Sequence, residues 1–172
     1  MHSVLSQSGV WPHREILGTR VDATSYSGAV RQVLGWADAS ESRYVCIASV
    51  NNVMEAYDSP DFRRIMRAAD LVTPDGMPLV WGLRLLGISW ATRVYGPELT
   101  PQLLGAAERE GIPVGFYGGS RQVLKRLVEI VAERYPRLRV AYAFSPPYRP
   151  LDLEENLRVT DEINSSGARL LF

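Results

Sequence analysis

The chain has one cysteine and two histidines among its 172 residues, and each scarcity closes off a class of chemistry. Cys46 lies in the apolar run Tyr44-Val45-Cys46-Ile47-Ala48, has no internal disulfide partner and reads as a small buried hydrophobe. A reducing, cytoplasmic setting fits it. His2 and His13 fall in the N-terminal stretch, and no His/Cys/Asp/Glu set has metal-ligand spacing. Neither a Ser-His-Asp nor a Cys-His nucleophile arrangement is present. Charge of one sign is lacking too: 19 Lys and Arg balance 19 Asp and Glu, with a pI near 6.7. That excludes a nucleic-acid binder driven by bulk charge and makes nucleic acid no expected partner. No window approaches the roughly 18–20 apolar residues of a membrane span, and Met1–Gln7 lacks the basic and apolar regions of a signal peptide. There is no internal repeat and no low-complexity tract.

What is present suffices for one substantial core, since 46% of residues are hydrophobic. Residues 1–15 read as a loose N-terminus and 16–172 as one α/β domain. Ile16–Val21 and Tyr44–Val50 have strand length, the second with the continuous apolar character of a strand covered on both faces. Between them, Asp22 or Thr24 offers an N-cap for a helix that buries Ala29, Val30, Val33, Leu34 and Ala37. Ser59-Pro60-Asp61 opens a helix whose buried stripe is Phe62, Ile65, Met66 and Ala69. The strand Ala69–Thr73 stops at Pro74, and a helix follows from Met77 to Leu86, ended by Gly87. Ser89–Tyr95 reads as extended, Gly96–Glu110 as a helix, and Ile112–Tyr117 as a strand. A helix over Gln122–Arg134 carries Val123, Leu124, Leu127, Val128 and Val131 on one face. The strand Leu138–Phe144, a helix from Leu153 to Ser165 and a strand Ala168–Phe172 complete the alternation. This pattern predicts a Rossmann-like, three-layer α/β domain with a mainly parallel sheet.

Ligands in such a fold sit beyond the carboxyl ends of strands, which directs attention to the turns there. Asp75-Gly76 is one of the commonest turn dipeptides, yet a carboxylate at this position can also take a proton from a bound hydroxyl. Ser49, Asn51 and Asn52 follow the second strand and offer hydrogen bonds to hydroxyls or phosphates, or else cap a helix. Arg93, just before the helix start at Gly96, suits a diphosphate or a surface salt bridge. Gly118-Gly119 ends a strand at a helix start and is the best phosphate cradle, although Gly-Gly turns are mostly structural. No full GxGxxG spacing and no ribose-binding acid follow it, so a nicotinamide-dinucleotide oxidoreductase loses ground.

Taken in order, Ser49-Val50-Asn51, Ala69–Gly76, Arg93-Val94-Tyr95-Gly96-Pro97-Glu98-Leu99, Phe116-Tyr117-Gly118-Gly119, Tyr135-Pro136 and Ser145-Pro146-Pro147-Tyr148-Arg149-Pro150-Leu151 form a specific series. From about Ile16 onward the chain resembles the WecG/TagA/CpsF glycosyltransferases. The resemblance implies a hexosyltransferase that needs no cofactor or metal. It would move N-acetylmannosamine, or its uronic acid, with inversion from a UDP-sugar to a polyprenyl-diphosphate-linked sugar in bacterial cell-surface polysaccharide or teichoic acid synthesis. By position, Asp75 matches the family's base, Asn51 the asparagine of its Thr-x-Asn element, and Arg93 its phosphate-contacting arginine. Ser49 stands in place of the usual threonine and Glu98 in place of the usual aspartate. The substrate-binding set expected on this basis is Ser49, Asn51, Asn52, Arg93, Gly96, Glu98, Gly118 and Gly119. Ser49, Asn51, Asp75, Arg93 and Gly118 are expected around a single cleft.

The family continues past a strand like Arg169–Phe172 into a Gly-Leu-Gly-x-Pro-Lys-Gln-Glu element and a membrane-docking segment, neither contained in this sequence. The chain therefore reads as a fragment that exposes an apolar patch and self-associates as a homo-oligomer. The full-length protein would be peripheral at the inner face of the plasma membrane. The alternative is a non-catalytic α/β binding or assembly module.

Overall fold

The computed structural model describes residues 11–172. The expected loose N-terminus therefore lies, up to residue 10, outside the described residues. The chain divides by its internal packing into two compact units, one formed by the chain up to Gln32 and Ser42–Thr100, the other by Val33–Glu41 and Pro101–Phe172. The fold is α/β and Rossmann-like, with parallel ladders in both units.

In the first unit the expected strand Ile16–Val21 is instead a hairpin. β1 (His13–Ile16) pairs antiparallel with β2 (Thr19–Asp22). Leu17 and Gly18 both have positive φ, the conformation that tight two-residue hairpin turns require. β2 leads into α1 (Tyr26–Asp38). Its first turn is capped by Ser25, whose hydroxyl accepts from Gly28 N–H at 3.2 Å, and not by Asp22 or Thr24, which are buried. Gly28 is needed for space as well, because a Cβ there would stand 2.5 Å from the Trp11 ring.

β3 (Val45–Ala48) and β4 (Leu71–Pro74) are parallel, with Ala48 opposite Pro74. Between them run α2 (Val50–Asp58) and α3 (Pro60–Ala68), the latter capped by Ser59 with Pro60 in its first turn, as the sequence predicts. The core here is Ala48, Val53, Ala56, Met66, Ala69, Val72 and Leu79, with Cys46 half-buried against it. Two expectations need correction. β3 is only half-buried, whereas β4, with β2 packed beside it, is fully buried. Ile65 is exposed, so the buried stripe of α3 is narrower than its apolar residues suggest.

The outer edge of β4 has no neighbouring strand in its ladder; side chains and a loop meet it instead. Val72 N–H donates to the buried Asp22 carboxylate at 2.7 Å, and Arg20 Nε holds the other oxygen at 2.8 Å. Arg20 also reaches Asp70 O, and Pro74 O accepts from Val94 N–H. Burial pushes the Asp22 carboxyl up, opposed by Arg20 and by Val72 N–H. α4 (Met77–Leu85) then packs Leu79, Val80 and Leu83 inward, and Gly87 follows it with positive φ. Ser89–Tyr95 forms no strand; it is turn and loop up to α5 (Gly96–Glu110).

The second unit holds a three-stranded parallel sheet in the order β6–β5–β7, formed by β5 (Val114–Tyr117), β6 (Val140–Phe144) and β7 (Leu170–Leu171). α6 (Arg121–Arg134) and α7 (Leu153–Ser166) make the crossovers. Of the expected buried face of α6, Leu124 and Val131 are buried while Val123 and Leu127 are exposed. A small sheet whose edge strand is β6 leaves part of an amphipathic helix uncovered. Ahead of α7, Arg149 forms a two-toothed pair with Glu155 at 2.6 and 2.7 Å, and Asp152 N–H donates to the same carboxylate.

Replacing Asp22 with Ala should cost roughly 1–3 kcal/mol, the penalty for stranding the buried Val72 N–H; an unchanged urea midpoint would show that Asp22 holds nothing. The Arg149 fork, aided by Asp152 N–H, draws the Glu155 carboxyl from its ordinary 4.5 to about 2. A lowered carboxylate favours the folded arrangement above its unfolded value and loses that contribution as pH falls through its folded one. Ordering at the start of α7 should therefore weaken between about pH 4.5 and 2, read from amide shifts of Asp152–Asn156. A Glu155 carboxyl resonance that titrates near 4.5 would contradict the pairing.

Candidate functional site

Parallel pairing of β3 and β4 aligns their carboxyl ends, and the ladder runs one step past both strands: Asp75 N–H donates to Ala48 O at 2.9 Å. The turn 75–76 and the start of α2 are therefore neighbours. A Cβ on Gly76 would lie 3.4 Å from Val50 Cγ2. The third segment is fixed by Val94, whose N–H donates to Pro74 O at 2.9 Å. Gly96 packs on the Ile47 side chain, since a Cβ there would stand 3.5 Å from Ile47 Cγ2.

On this frame Arg93 and Asp75 meet. Arg93 Nη2 lies 3.0 Å from Asp75 Oδ1, Arg93 Nε donates to the Asp75 carbonyl, and the guanidinium stacks 4.2 Å from the centre of the Tyr95 ring. The Asp75 side chain is 20% exposed and the Arg93 side chain 43%. This is a carboxylate reachable from solvent, with a cation beside it that has spare N–H groups. Such a pair can accept a proton and hold an anion.

Ser49 and Asn52 are committed differently. Ser49 Oγ donates to Asn52 Oδ1 at 2.7 Å, Ser49 N–H donates to the same oxygen at 2.9 Å, and Asn52 N–H donates back to Ser49 Oγ at 3.3 Å. The pair forms the reciprocal N-cap of α2. Both side chains spend their acceptors on the helix, so the capping alternative describes them here. Asn51, exposed in the first turn, is the member of this group turned to solvent.

Glu98 is joined to the same loop through residues that the sequence reading did not select. The Tyr26 hydroxyl donates to Glu98 Oε2 at 2.5 Å and accepts from Tyr95 N–H at 3.1 Å. Burial, and then the bond to Glu98, push the Tyr26 hydroxyl up. Tyr26 thus braces the segment that carries Arg93. A signal for it existed: it opens the helix after a strand, the position at which the other site residues were sought.

Gly118 and Gly119 belong to the second unit. They follow β5, the central strand, from which β6 and β7 lie on opposite sides. Both have positive φ, and a Cβ on Gly118 would meet no atom within 4 Å. Ser120 caps α6 by accepting from Val123 N–H. Ser145 Oγ donates to Gly119 O at 2.7 Å, and next to this turn Arg121, Lys125, Leu124, Val128 and Phe144 line an open cleft of about 530 Å³. Among the described residues no three His, Cys, Asp or Glu side chains converge as metal ligands would.

This chain belongs to the glycosyl transferase WecG/TagA/CpsF family, whose model matches residues 14–172. It is 26% identical over 137 residues to the N-acetylglucosaminyldiphosphoundecaprenol N-acetyl-beta-D-mannosaminyltransferase of Bacillus spizizenii, covering 80% of this chain and 51% of that protein. Identity to the protein of the same description from Bacillus subtilis is 26% over 112 residues, covering 65% and 42%. The chain spans about half the length of the curated relatives it matches.

Tyr26→Phe should remove both bonds of the brace and cost roughly 1 kcal/mol. The Tyr95 amide should then exchange about fivefold faster. Unchanged exchange at Tyr95 would show that the loop is held without Tyr26.

Proposed function

We propose that the protein is an inverting glycosyltransferase that moves an N-acetylhexosamine-type sugar, such as N-acetylmannosamine or its uronic acid, from a UDP-sugar to a polyprenyl-diphosphate-linked acceptor. The observation that carries this reading is the Asp75–Arg93 pair at the carboxyl ends of β3 and β4. Family membership and the similarity to the two Bacillus mannosaminyltransferases support the acceptor class. Asp75 takes the proton of the acceptor hydroxyl. The hydroxyl oxygen attacks the anomeric carbon from the face opposite the diphosphate. The bond from that carbon to the diphosphate breaks, and its electron pair leaves with UDP.

Arg93 binds the diphosphate and stabilises the charge that grows on it as the bond breaks. To do so it exchanges the Asp75 carboxylate for a phosphate oxygen, which leaves Asp75 free to face the acceptor. Asn51 and Glu98 contribute hydrogen bonds to the substrates, with Gly96 letting the chain turn into α5 beside them. In the second unit, the Gly118-Gly119 turn takes a phosphate on its own account, with free N–H groups at the start of α6. On this reading the protein works peripherally at the inner face of the plasma membrane, in cell-surface polysaccharide or teichoic acid synthesis, with a lipid-linked partner.

Asp75→Asn should lower turnover roughly 10²–10⁴-fold, the usual contribution of a general base, with little change in calorimetric affinity for UDP. Arg93→Ala should weaken both UDP affinity and rate, because its contact exists before and during reaction. The assay is transfer to polyprenyl-diphosphate-linked N-acetylglucosamine. An Asp75→Asn enzyme with full turnover removes Asp75 from the chemistry, and one that loses UDP affinity in step with rate makes it a holder of Arg93.

A further inference from the structure

α4 is apolar on both of its faces. Leu79, Val80 and Leu83 are buried in the first unit, while Met77, Trp81 and Leu85 form a second, exposed stripe at four-residue spacing. Trp81 is 60% exposed and Leu85 88%. Leu86 and Trp90, the latter 40% exposed, continue the stripe past the helix end. A helix that is hydrophobic all round belongs either in a core or against lipid.

The charges around this face choose between occupants. From Met77 to Pro97 the sequence contains no Asp or Glu, and Arg84 lies on the exposed side of α4. Its Nε donates to Ala91 O at 2.9 Å, which holds it beside Trp90. Arg14 reaches the same C-terminal end of α4, with Nε donating to Leu86 O at 2.8 Å. Among the described residues neither guanidinium is paired with a carboxylate. Two such cations at one end of a stripe of exposed tryptophans and leucines match the surface of a bilayer with anionic headgroups, where indole rings sit at headgroup level and apolar side chains enter below. A second copy of the same face fits worse, because a two-fold contact would bring like cations together.

We propose that the exposed face of α4, with Leu86, Trp90, Arg14 and Arg84, is a membrane-docking surface for anionic lipid. The inference rests on the transferase reading and deepens it. α4 begins immediately after Asp75-Gly76, so a bilayer on this face lies next to the base. There the diphosphate of a lipid-linked acceptor would be found.

The test is flotation of the chain with vesicles of phosphatidylcholine containing phosphatidylglycerol, against vesicles of phosphatidylcholine alone. The wild type should float with the anionic vesicles, with a blue shift of tryptophan emission, and should float less with neutral ones or in high salt. Leu85→Ser with Trp81→Ser should lower partitioning at least roughly tenfold, the worth of a few buried methylenes. Arg84→Gln should lower it about fivefold. Both variants alter exposed positions, and circular dichroism checks that the fold is kept. No flotation, or equal flotation of the double variant, overturns the proposal. So does a wild-type dimer in sedimentation that the double variant dissolves while vesicles stay bare, which would give the face to a second copy. The vesicles hold neither nucleotide sugar nor polyprenyl lipid, so failure here leaves the transferase reading standing, and an active Asp75→Asn enzyme leaves the docking result standing.

Discussion

The hydrogen bond from Asp75 N–H to Ala48 O carries most of the geometry of the site. It extends the parallel register one residue beyond both strands, and so sets the Asp75 turn against the start of α2. Everything nearby is referred to that step: Val94 hangs on Pro74 O, Gly96 rests on Ile47, and Arg93 is thereby brought to the Asp75 carboxylate. A one-residue slip would reverse which side chains face the core. The fully buried β4 makes such a slip expensive, since Leu71, Val72 and Thr73 all sit at or near zero exposure.

Where the sequence was legible, local chemistry and long-range packing pointed the same way. Ser59-Pro60 opened α3, Gly87 marked a helix end, and the apolar run before Pro74 became the most buried strand. The turn at Asp75-Gly76 and its nearness to Arg93 followed from the strand-end rule together with the motif order. What could not be read was set by partners distant in sequence. Ser49 and Asn52 look equally ready for a ligand or a cap until their side chains are seen bonded to each other. Tyr26 needs the fold to bring it to Glu98, 72 positions on. The N-terminal hairpin was hidden because Leu17, a poor candidate for positive φ, occupies its turn.

The apolar helices taught the opposite lesson. Periodicity marks a face as hydrophobic without stating what covers it. Ile65, Val123 and Leu127 keep helical spacing with their buried neighbours and are nevertheless exposed, as is the outer stripe of α4. Amphipathic spacing is a statement about the helix alone; burial depends on how wide the underlying sheet is.

The treatment of the outer edge of β4 has a consequence for solubility. An open strand edge is a template on which a second chain can add, and long bare edges seed aggregates. Here Arg20 occupies one carbonyl, the Asp22 carboxylate occupies the Val72 N–H, and Pro74 has no N–H to offer. An incoming strand would have to displace a buried ion pair and would still find a gap in its ladder. The most apolar strand of the first unit is thus protected against strand addition by two charged side chains and a proline, at the very edge where its hydrophobicity would otherwise be most hazardous.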